Sequence, residues 1–383
     1  MQFFSSISKI IAYLAISAVL ATAGISVLTA PAHAANITVS PPKFEFDAVE
    51  KGGRITGTIT ITNGDAEPLV LIPSVADFTA QGEAGKPAFI EGDDTSAFSL
   101  SSWITLPAEA ITVPANEKLE VPFSVTVPEN AEAGGHFGTI FFSPVVQAEG
   151  NIAVQQKVGV LLLVRVSGEV RETGEVSIFK SYPADIDAET VHEAKSRLFF
   201  SEFPVTLAVR FTNTGNVHIK PVGTITLKNT FGNELARVGE ETTVTDNGAI
   251  TGSKLVDYLP VNDRQGNVLP NSSRVFLSSW QGYGSLVLNE QGDREIDWRG
   301  TGFGRYTATL SLSYGDTTLP AQTIHFWIIP WMIILPSLAG LIILILLILF
   351  WRKYSRERLK QQLREELEAE QNISNDPIDH EYT

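Results

Sequence analysis

Cysteine is missing from all 383 residues of the sequence. Its absence excludes disulfide bonds, zinc sites built on thiolates and cysteine nucleophiles. Folded domains of this chain must therefore be stabilised by their hydrophobic cores alone, which domains of ordinary size can achieve.

Charged side chains are also scarce, at 19% of the residues against 44% for hydrophobic ones. This balance is typical of folded domains combined with membrane-spanning sequence, and it excludes a largely disordered chain. The formal net charge is −15, and residues 35–325 carry 35 acidic but only 21 basic side chains. Because an acidic surface repels phosphate backbones, we expect no nucleic-acid partner.

Motifs for catalysis and metal binding are absent from the sequence as well. The six histidines form no HExxH or paired spacing, and no serine stands in a G-x-S-x-G turn. Asp93-Asp94 and Asn262-Asp263 with Asn267 supply oxygen atoms, but neither group has the spacing of an EF-hand loop, which favours solvated turns. We expect no enzyme, no metal ion and no cofactor, although a site made of scattered residues would escape a single sequence.

The N-terminus has the pattern of a secretory signal peptide in residues 1–34. The apolar segment Ile10–Leu28 is followed by Pro31-Ala-His-Ala34, whose small residues suit signal peptidase. We expect the mature chain to start at Ala35. An uncleaved N-terminal anchor is the alternative.

A second apolar stretch, residues 326–351, contains no charged side chain. At about 1.5 Å per residue, a helix of this length can cross a hydrocarbon core of about 30 Å, so we predict a single transmembrane helix. Basic side chains crowd the segment from Arg352 to Arg364, and positive charge beside such a helix stays cytoplasmic. The tail, residues 352–383, is therefore predicted to lie inside, with a short juxtamembrane helix. The alternative is the core helix of a soluble protein.

The region between these apolar stretches has the alternation of β-strands. Ile59 and Ile61 alternate with threonines, so one face of that strand can enter a core while the other meets water. Similar short runs are separated by Gly, Pro, Asn and Asp, which predicts an all-β region. The run 158–166 is too short for a membrane span and is interpreted as a buried strand, whereas 187–197 is a brief helical candidate.

Three segments recur in the same order in the two halves of this region. They are Thr58–Gly64 with Leu207–Gly215, the run from Pro114 with the run from Pro270, and Gly135–Phe142 with Gly302–Thr309. Recurrence in a fixed order predicts a duplicated module, and each half has enough strands for a sandwich. We therefore predict two tandem Ig-like β-sandwich domains, residues 35–171 and 172–325, followed by the transmembrane helix.

Four segments carry a family resemblance: Ser40–Phe46, Gly57–Asn63, Val127–Ile140 and Val158–Val164. Together they resemble the WxL-interacting proteins of Gram-positive-type envelopes. That family has a signal peptide, a peptidoglycan-binding Ig-like domain, a second Ig-like domain for host or protein binding, one C-terminal helix and a basic tail. The resemblance covers nearly the whole chain. It implies peptidoglycan or another surface protein as the partner, and attachment to the membrane through one helix.

The candidate for partner contact is the glycine-rich strand entry formed by Gly134, Gly135, His136, Phe137 and Gly138, because glycine lets a partner approach the backbone closely. Turn or bulge geometry would explain the same glycines. We expect a non-enzymatic cell-surface protein that displays two domains for contact with cell wall or surface proteins. The alternative is a membrane-anchored envelope assembly chaperone that receives a client strand at an open sheet edge.

Overall fold

The computed structural model describes residues 36–90, 96–106, 110–145, 157–244, 250–282, 286–288, 294–296 and 302–374. Within them the chain forms two compact units. The first consists of the chain up to Thr79 with Ala88–Val170, and the second of Ala80–Pro87 with the chain from Arg171 onward. The signal peptide predicted for residues 1–34 lies outside the described residues.

Strands β1 to β10 belong to the first half of the chain. They are β1 (Ile37–Ser40), β2 (Lys43–Val49), β3 (Arg54–Asn63), β4 (Leu69–Gln81), β5 (Lys86–Ile90), β6 (Ile104–Thr105), β7 (Ile111–Val113), β8 (Lys118–Thr126), β9 (Gly134–Pro144) and β10 (Val158–Val166), with a short 3-10 helix at Ser101–Trp103. One sheet has the order β1-β3-β8-β6, and the other has the order β2-β10-β9-β4-β5 with β7 beside β4. Their facing sides enclose a core that includes Ile59, Ile61 and Leu162.

Strands β11 to β23 build the second unit. They are β11 (Gly174–Tyr182), β12 (Phe199–Phe200), β13 (Val205–Asn213), β14 (Val222–Lys228), β15 (Gly239–Val244), β16 (Ile250–Val256), β17 (Leu259–Val261), β18 (Ser273–Trp280), β19 (Leu286–Leu288), β20 (Arg294–Ile296), β21 (Gly304–Tyr314), β22 (Thr317–Thr318) and β23 (Gln322–Ile328). The sheets have the orders β11-β13-β18 and β12-β23-β21-β14-β17, with β22 beside β21, and β15-β16 and β19-β20 form separate pairs.

The two units repeat one strand path. In each, the first long strand of the core, β3 or β13, pairs antiparallel with the strand that opens the unit and with a later one, β8 or β18. In each, the last strand, β10 or β23, pairs parallel with a short early strand, β2 or β12. This repetition confirms the predicted all-β fold of two tandem Ig-like sandwiches with a C-terminal helix.

In both units a buried asparagine ends the first long strand of the core: Asn63 ends β3 and Asn213 ends β13. The side-chain amide of Asn63 donates to the carbonyl oxygens of Glu67 and Val113 at 2.8 and 3.2 Å. The amide of Asn213 donates to the carbonyl oxygens of Val217 and Val268, both at 2.8 Å. Both asparagines are at most 1% exposed. Each therefore ties its turn to the loop that enters β8 or β18.

Replacement of Asn213 by alanine is expected to lower the free energy of unfolding of the second unit by about 2–3 kcal/mol, because it removes two buried hydrogen bonds, to the carbonyl oxygens of Val217 and Val268. The measurement is hydrogen exchange along β13 and β18. Asn233→Ala, at an exposed position of the same unit, is the control and is expected to cost less than about 0.5 kcal/mol. Equal protection in the two variants would contradict the role of Asn213.

A second pair of asparagines, Asn116 and Asn271, shows how the two repeats align. Asn116 and Asn271 both have positive φ, at 56° and 54°, in the loops before β8 and β18. This equivalence shifts the match predicted between Pro114 and Pro270 by one residue. The third match shifts by three, since Gly134 and Gly304 open β9 and β21, with φ of 132° and 114°.

Helix α1 runs from Trp331 to Ser374, so it begins five residues later than predicted. Phe326 and Ile328 belong to β23, and the buried ring of Phe326 stacks on Tyr306 at 5.9 Å. The first part of the apolar stretch therefore belongs to the second sandwich, with Phe326 and Ile328 in its core. The remainder, to residue 351, still reaches about 30 Å at 1.5 Å per residue, and α1 is long and apolar enough to cross a membrane.

Two shorter predictions have clear outcomes. β10 is a strand with neighbours on both sides, and Val160 and Leu162 are buried, as the apolar run predicted. Residues 187–197 form turns and no regular helix. Only one hydrogen bond with α-helical spacing, from Ala194 N to Thr190 O, forms there. The segment instead packs Val191 against the outer face of the β13 sheet.

Candidate functional site

The five residues proposed for partner contact, Gly134–Gly138, lie inside the first sandwich. They belong to β9, which is hydrogen-bonded to β10 on one side and to β4 on the other. All five are buried. A Cβ at Gly135 would come within 2.7 Å of the Phe137 ring, and one at Gly138 within 3.1 Å of Leu100 Cβ. The glycines make room for core side chains, so this segment offers no surface for a partner.

His136 is held in the same interior. Its Nδ1 lies 3.0 Å from the carbonyl oxygen of Ser99 and its Nε2 lies 3.0 Å from that of Glu132. The Trp103 ring covers the imidazole at 4.3 Å between ring centroids. These contacts join the loop that contains Ser99 to the start of β9, which is a structural role.

The described residues offer no cluster of three or more histidine, cysteine or acidic side chains that could hold a metal ion. The turn at Asn262 is closed by its own side chain, whose amide donates to the carbonyl oxygens of Pro221 and Gly266 at 2.7 and 2.9 Å. Its Oδ1 accepts from Gly266 N. Residues 93 and 94 lie outside the described ranges.

The edge of β18 is different, because its sheet ends there. Asn213 N donates to Ser272 O, so the backbone groups of β18 that bind β13 belong to even-numbered residues. In an antiparallel pair, every second residue points its backbone N–H and C=O groups at the partner strand, and the residues between point theirs away from it. The N–H and C=O groups of Ser273, Val275, Leu277 and Ser279 therefore face outward, away from β13.

The first half of this outward edge is occupied by the tip of the β4–β5 turn, which belongs to the second unit. Val275 N donates to Glu83 O at 2.8 Å. The Glu83 carboxylate is fixed by Arg210, whose Nε and Nη2 donate to it at 2.9 and 2.6 Å. These hydrogen bonds raise the pKa of Arg210, and burial lowers the pKa of its neighbour Arg274.

The second half of the edge is open. Among the described residues no backbone group bonds to the outward N–H groups of Leu277 and Ser279. The Leu277 side chain is 38% exposed. Within the described ranges, β18 therefore has a short unpaired edge from Leu277 to Trp280, which we call the open edge.

The first unit closes the equivalent place. Since Thr62 faces Lys118 and Thr212 faces Ser273, Pro122 of β8 is the counterpart of Leu277. Proline has no N–H, and it blunts an edge. Beyond it, β6 pairs with Ser124 and Val125, the counterparts of the last two residues of β18. In the second unit, no strand within the described ranges takes the place of β6.

A groove with a volume of 470 Å³ lies along the open edge. It is lined by Arg237–Glu240, Leu255, Leu259, Pro260, Asp263 and Leu277–Gly282. Trp280 and Leu259, each 2% exposed, are its buried apolar residues. Ser278 Oγ donates to Pro260 O at 2.7 Å and so joins β18 to β17. The groove combines apolar side chains with unpaired backbone donors, which are the two parts of a strand-binding site.

The sequence analysis did not find this site, although one feature of the sequence could have indicated it. Val275, Phe276 and Leu277 are consecutive apolar residues, whereas a strand with one wet face alternates. Val275 packs in a cluster with Tyr182 and Val191, and Phe276 packs in the sandwich core. Leu277 is the one of the three that remains exposed.

No protein-family model and no curated protein sequence match the chain. Solved structures with a similar fold include the class 5 fimbriae chaperone CfaA, at 11% identity and a TM-score of 0.32, over 77% of this chain and 100% of that one. The Pseudomonas aeruginosa CupB2 chaperone is similar at 10% identity and 0.29, over 76% and 100% of the two chains. The E. coli chaperone DraB is similar at 11% and 0.28, over 76% and 98%. Likenesses this distant say nothing about what the chain binds.

Proposed function

We propose that the chain is a non-enzymatic, membrane-anchored exported protein whose second sandwich binds an extended segment of another exported protein by strand addition. The observation that carries this proposal is the open edge of β18, at the place that Pro122 and β6 close in the first unit. A client strand would accept hydrogen bonds from the N–H groups of Leu277 and Ser279. Main-chain bonds of this kind supply affinity, and pockets for alternate side chains supply specificity.

β6 pairs with β8 at the place that a client strand would take beside β18, so it shows how such a strand would bind. It runs antiparallel to β8, with Ile104 opposite Val125, and Ile104 packs against the core of the first unit. Val125 corresponds to Trp280 in the second unit. The client is therefore expected to place an apolar side chain opposite Trp280, over the groove.

Helix α1 supports the anchored part of the proposal. Its apolar residues end at Trp351 and are followed at once by Arg352 and Lys353. Flanking positive charge stays cytoplasmic, which favours an orientation with both sandwiches outside. In that orientation a client that meets the open edge would be an exported protein as well.

The resemblance to WxL-interacting proteins belongs to the same proposal, because it implies a second Ig-like domain that binds protein. Peptidoglycan binding by the first domain is implied by that resemblance too. The residues proposed for partner contact in that domain, Gly134–Gly138, are buried in β9. The open edge thus favours a protein client, and peptidoglycan becomes a contrary outcome of the test.

A photo-crosslinking residue at position 277 is expected to capture a defined protein in cells that make the full chain. The same residue at Asp316, in the exposed turn after β21, is the matched control and is expected to capture little. The captured segment is read by mass spectrometry and should be extended and apolar opposite Trp280.

Three results would overturn the proposal. The first is equal capture from positions 277 and 316. The second is sedimentation of the detergent-solubilised chain with isolated peptidoglycan together with no protein captured at 277. The third is a crosslink from position 277 to another part of the same chain, which would identify an internal strand on the open edge.

A further inference from the structure

The second sandwich is joined to α1 almost without a linker. β23 ends at Ile328 and α1 begins at Trp331, so only Ile329 and Pro330 lie between. Ile329 N donates to Phe200 O at 2.8 Å, and Trp331 N donates to Ile329 O at 2.8 Å. Two residues span at most about 7 Å. With α1 across the bilayer, this end of the sandwich must lie at the membrane surface.

The same end of the sandwich exposes large apolar side chains. Phe199 is 63% exposed and faces Trp327 in the β12–β23 pair, next to exposed Leu198. Phe303 is exposed directly before Gly304, which faces Ile328.

Phe231, at 87% exposed, belongs to the same end. It lies in the turn after β14, and this turn is held to the start of β21 by Thr230. Thr230 Oγ1 donates to Arg305 O at 3.0 Å and accepts from Arg305 N at 2.9 Å. Three separate chain segments thus place apolar side chains beside the start of α1.

Single exposed apolar residues are normal on proteins, but a group of them at one end indicates a protein or membrane contact. Here the group is continuous with the first residues of α1, where Trp331 is also exposed. Aromatic rings favour the interface between headgroups and acyl chains. Exposed Arg197 and Arg305 lie beside the apolar residues, where they can reach lipid phosphates. These features select a lipid surface as the partner.

We infer that this end of the second sandwich, with Leu198, Phe199, Phe231, Phe303 and Trp327, is seated in the interfacial layer of the outer leaflet. The inference rests on the transmembrane placement of α1 in the proposed function. Trp280 lies 4.9 Å from the Tyr306 ring, two residues from the seated end of β21. The open edge is consequently held close to the membrane, where it can contact a client that emerges from the bilayer.

The experiment uses the full chain in nanodiscs of phosphatidylcholine and phosphatidylglycerol. Because the chain has no cysteine, Phe231→Cys and Phe303→Cys can each carry one environment-sensitive fluorophore. Asp316→Cys, at the other end of β21 and about 33 Å away at 3.3 Å per residue, is the control. Doxyl-labelled phosphatidylcholine is expected to quench positions 231 and 303 at least threefold more than position 316, and aqueous iodide is expected to quench them less.

The inference fails if labels at 231 and 303 are quenched by iodide as strongly as the label at 316 and are untouched by doxyl lipid. Leu346→Cys, within the apolar part of α1, keeps this failure separate from failure of the anchor. Lipid quenching at 346 without lipid quenching at 231 and 303 would overturn only the inference that the end of the sandwich lies in the interfacial layer, and the anchor would stand. No lipid quenching at 346 overturns the anchor as well. Folding of each variant is checked by hydrogen exchange in β13.

Discussion

Replacement of Leu277 by proline is expected to weaken capture of the client strand about ten- to a hundredfold. Proline removes the N–H that faces outward, so a client carbonyl would be left unpaired at a cost of about 1–3 kcal/mol, and each 1.4 kcal/mol is a factor of ten in affinity. The sandwich itself should tolerate the change. The lost N–H does not bind β13, and the equivalent position in the first unit already holds Pro122.

The measurement is the yield of photo-crosslinked client from position 281, which lines the groove, in chains with and without Leu277→Pro. Leu277→Ala is the matched control, because it keeps the N–H and shortens the same side chain. It is expected to reduce the yield about threefold at most, since the side chain is already 38% exposed. Unchanged capture by a folded proline variant would show that the open edge is not the binding site.

The fold could be predicted from the sequence because its signals are local. Alternation around Ile59 and Ile61 assigns one face of β3 to the core, and a chain without cysteine must build each sandwich on such faces. The start of α1 could not be predicted in this way. Phe326 is as apolar as the helix that follows, and only its pairing with Tyr306 in β21 makes it part of the sandwich.

The proposed binding site depends on which residues of β18 point their backbone groups away from β13, and the sequence match assigned these residues wrongly. Pairing Pro114 with Pro270 sets Pro122 against Ser278, whose backbone faces β13. The structural alignment through Asn116 and Asn271 sets Pro122 against Leu277. A slip of one residue exchanges the two sides of a strand, so the contrast between a blunted and an open edge is visible only in the correct register.

The glycine-rich candidate fails for a related reason. Gly134–Gly138 has the composition of a segment that a partner could approach closely, and glycine serves that purpose at a sheet edge. Whether a strand lies at an edge depends on its neighbours. β9 has β10 and β4 beside it. The space beside Gly135 and Gly138 is therefore filled by the side chains of Phe137 and Leu100 of the same unit, and not by a partner.

Trp280→Ala is expected to lower the free energy of unfolding of the second unit by about 3–5 kcal/mol, the usual cost of removing a buried tryptophan. The indole is 2% exposed and lies 5.1 Å from the Phe203 ring and 4.9 Å from the Tyr306 ring. Its removal would leave a cavity between the sheets where the groove begins. Hydrogen exchange in β13, β18 and β21 measures the loss.

Trp327→Ala is the control for that variant, because the same side chain is removed where it is 39% exposed. It is expected to cost about 1 kcal/mol or less in detergent. Similar exchange in the two variants would mean that Trp280 does not support the core. A large loss confined to Trp280→Ala would separate two roles along β18: Trp280 stabilises the sandwich from within, and Leu277 leaves the strand edge open to a client.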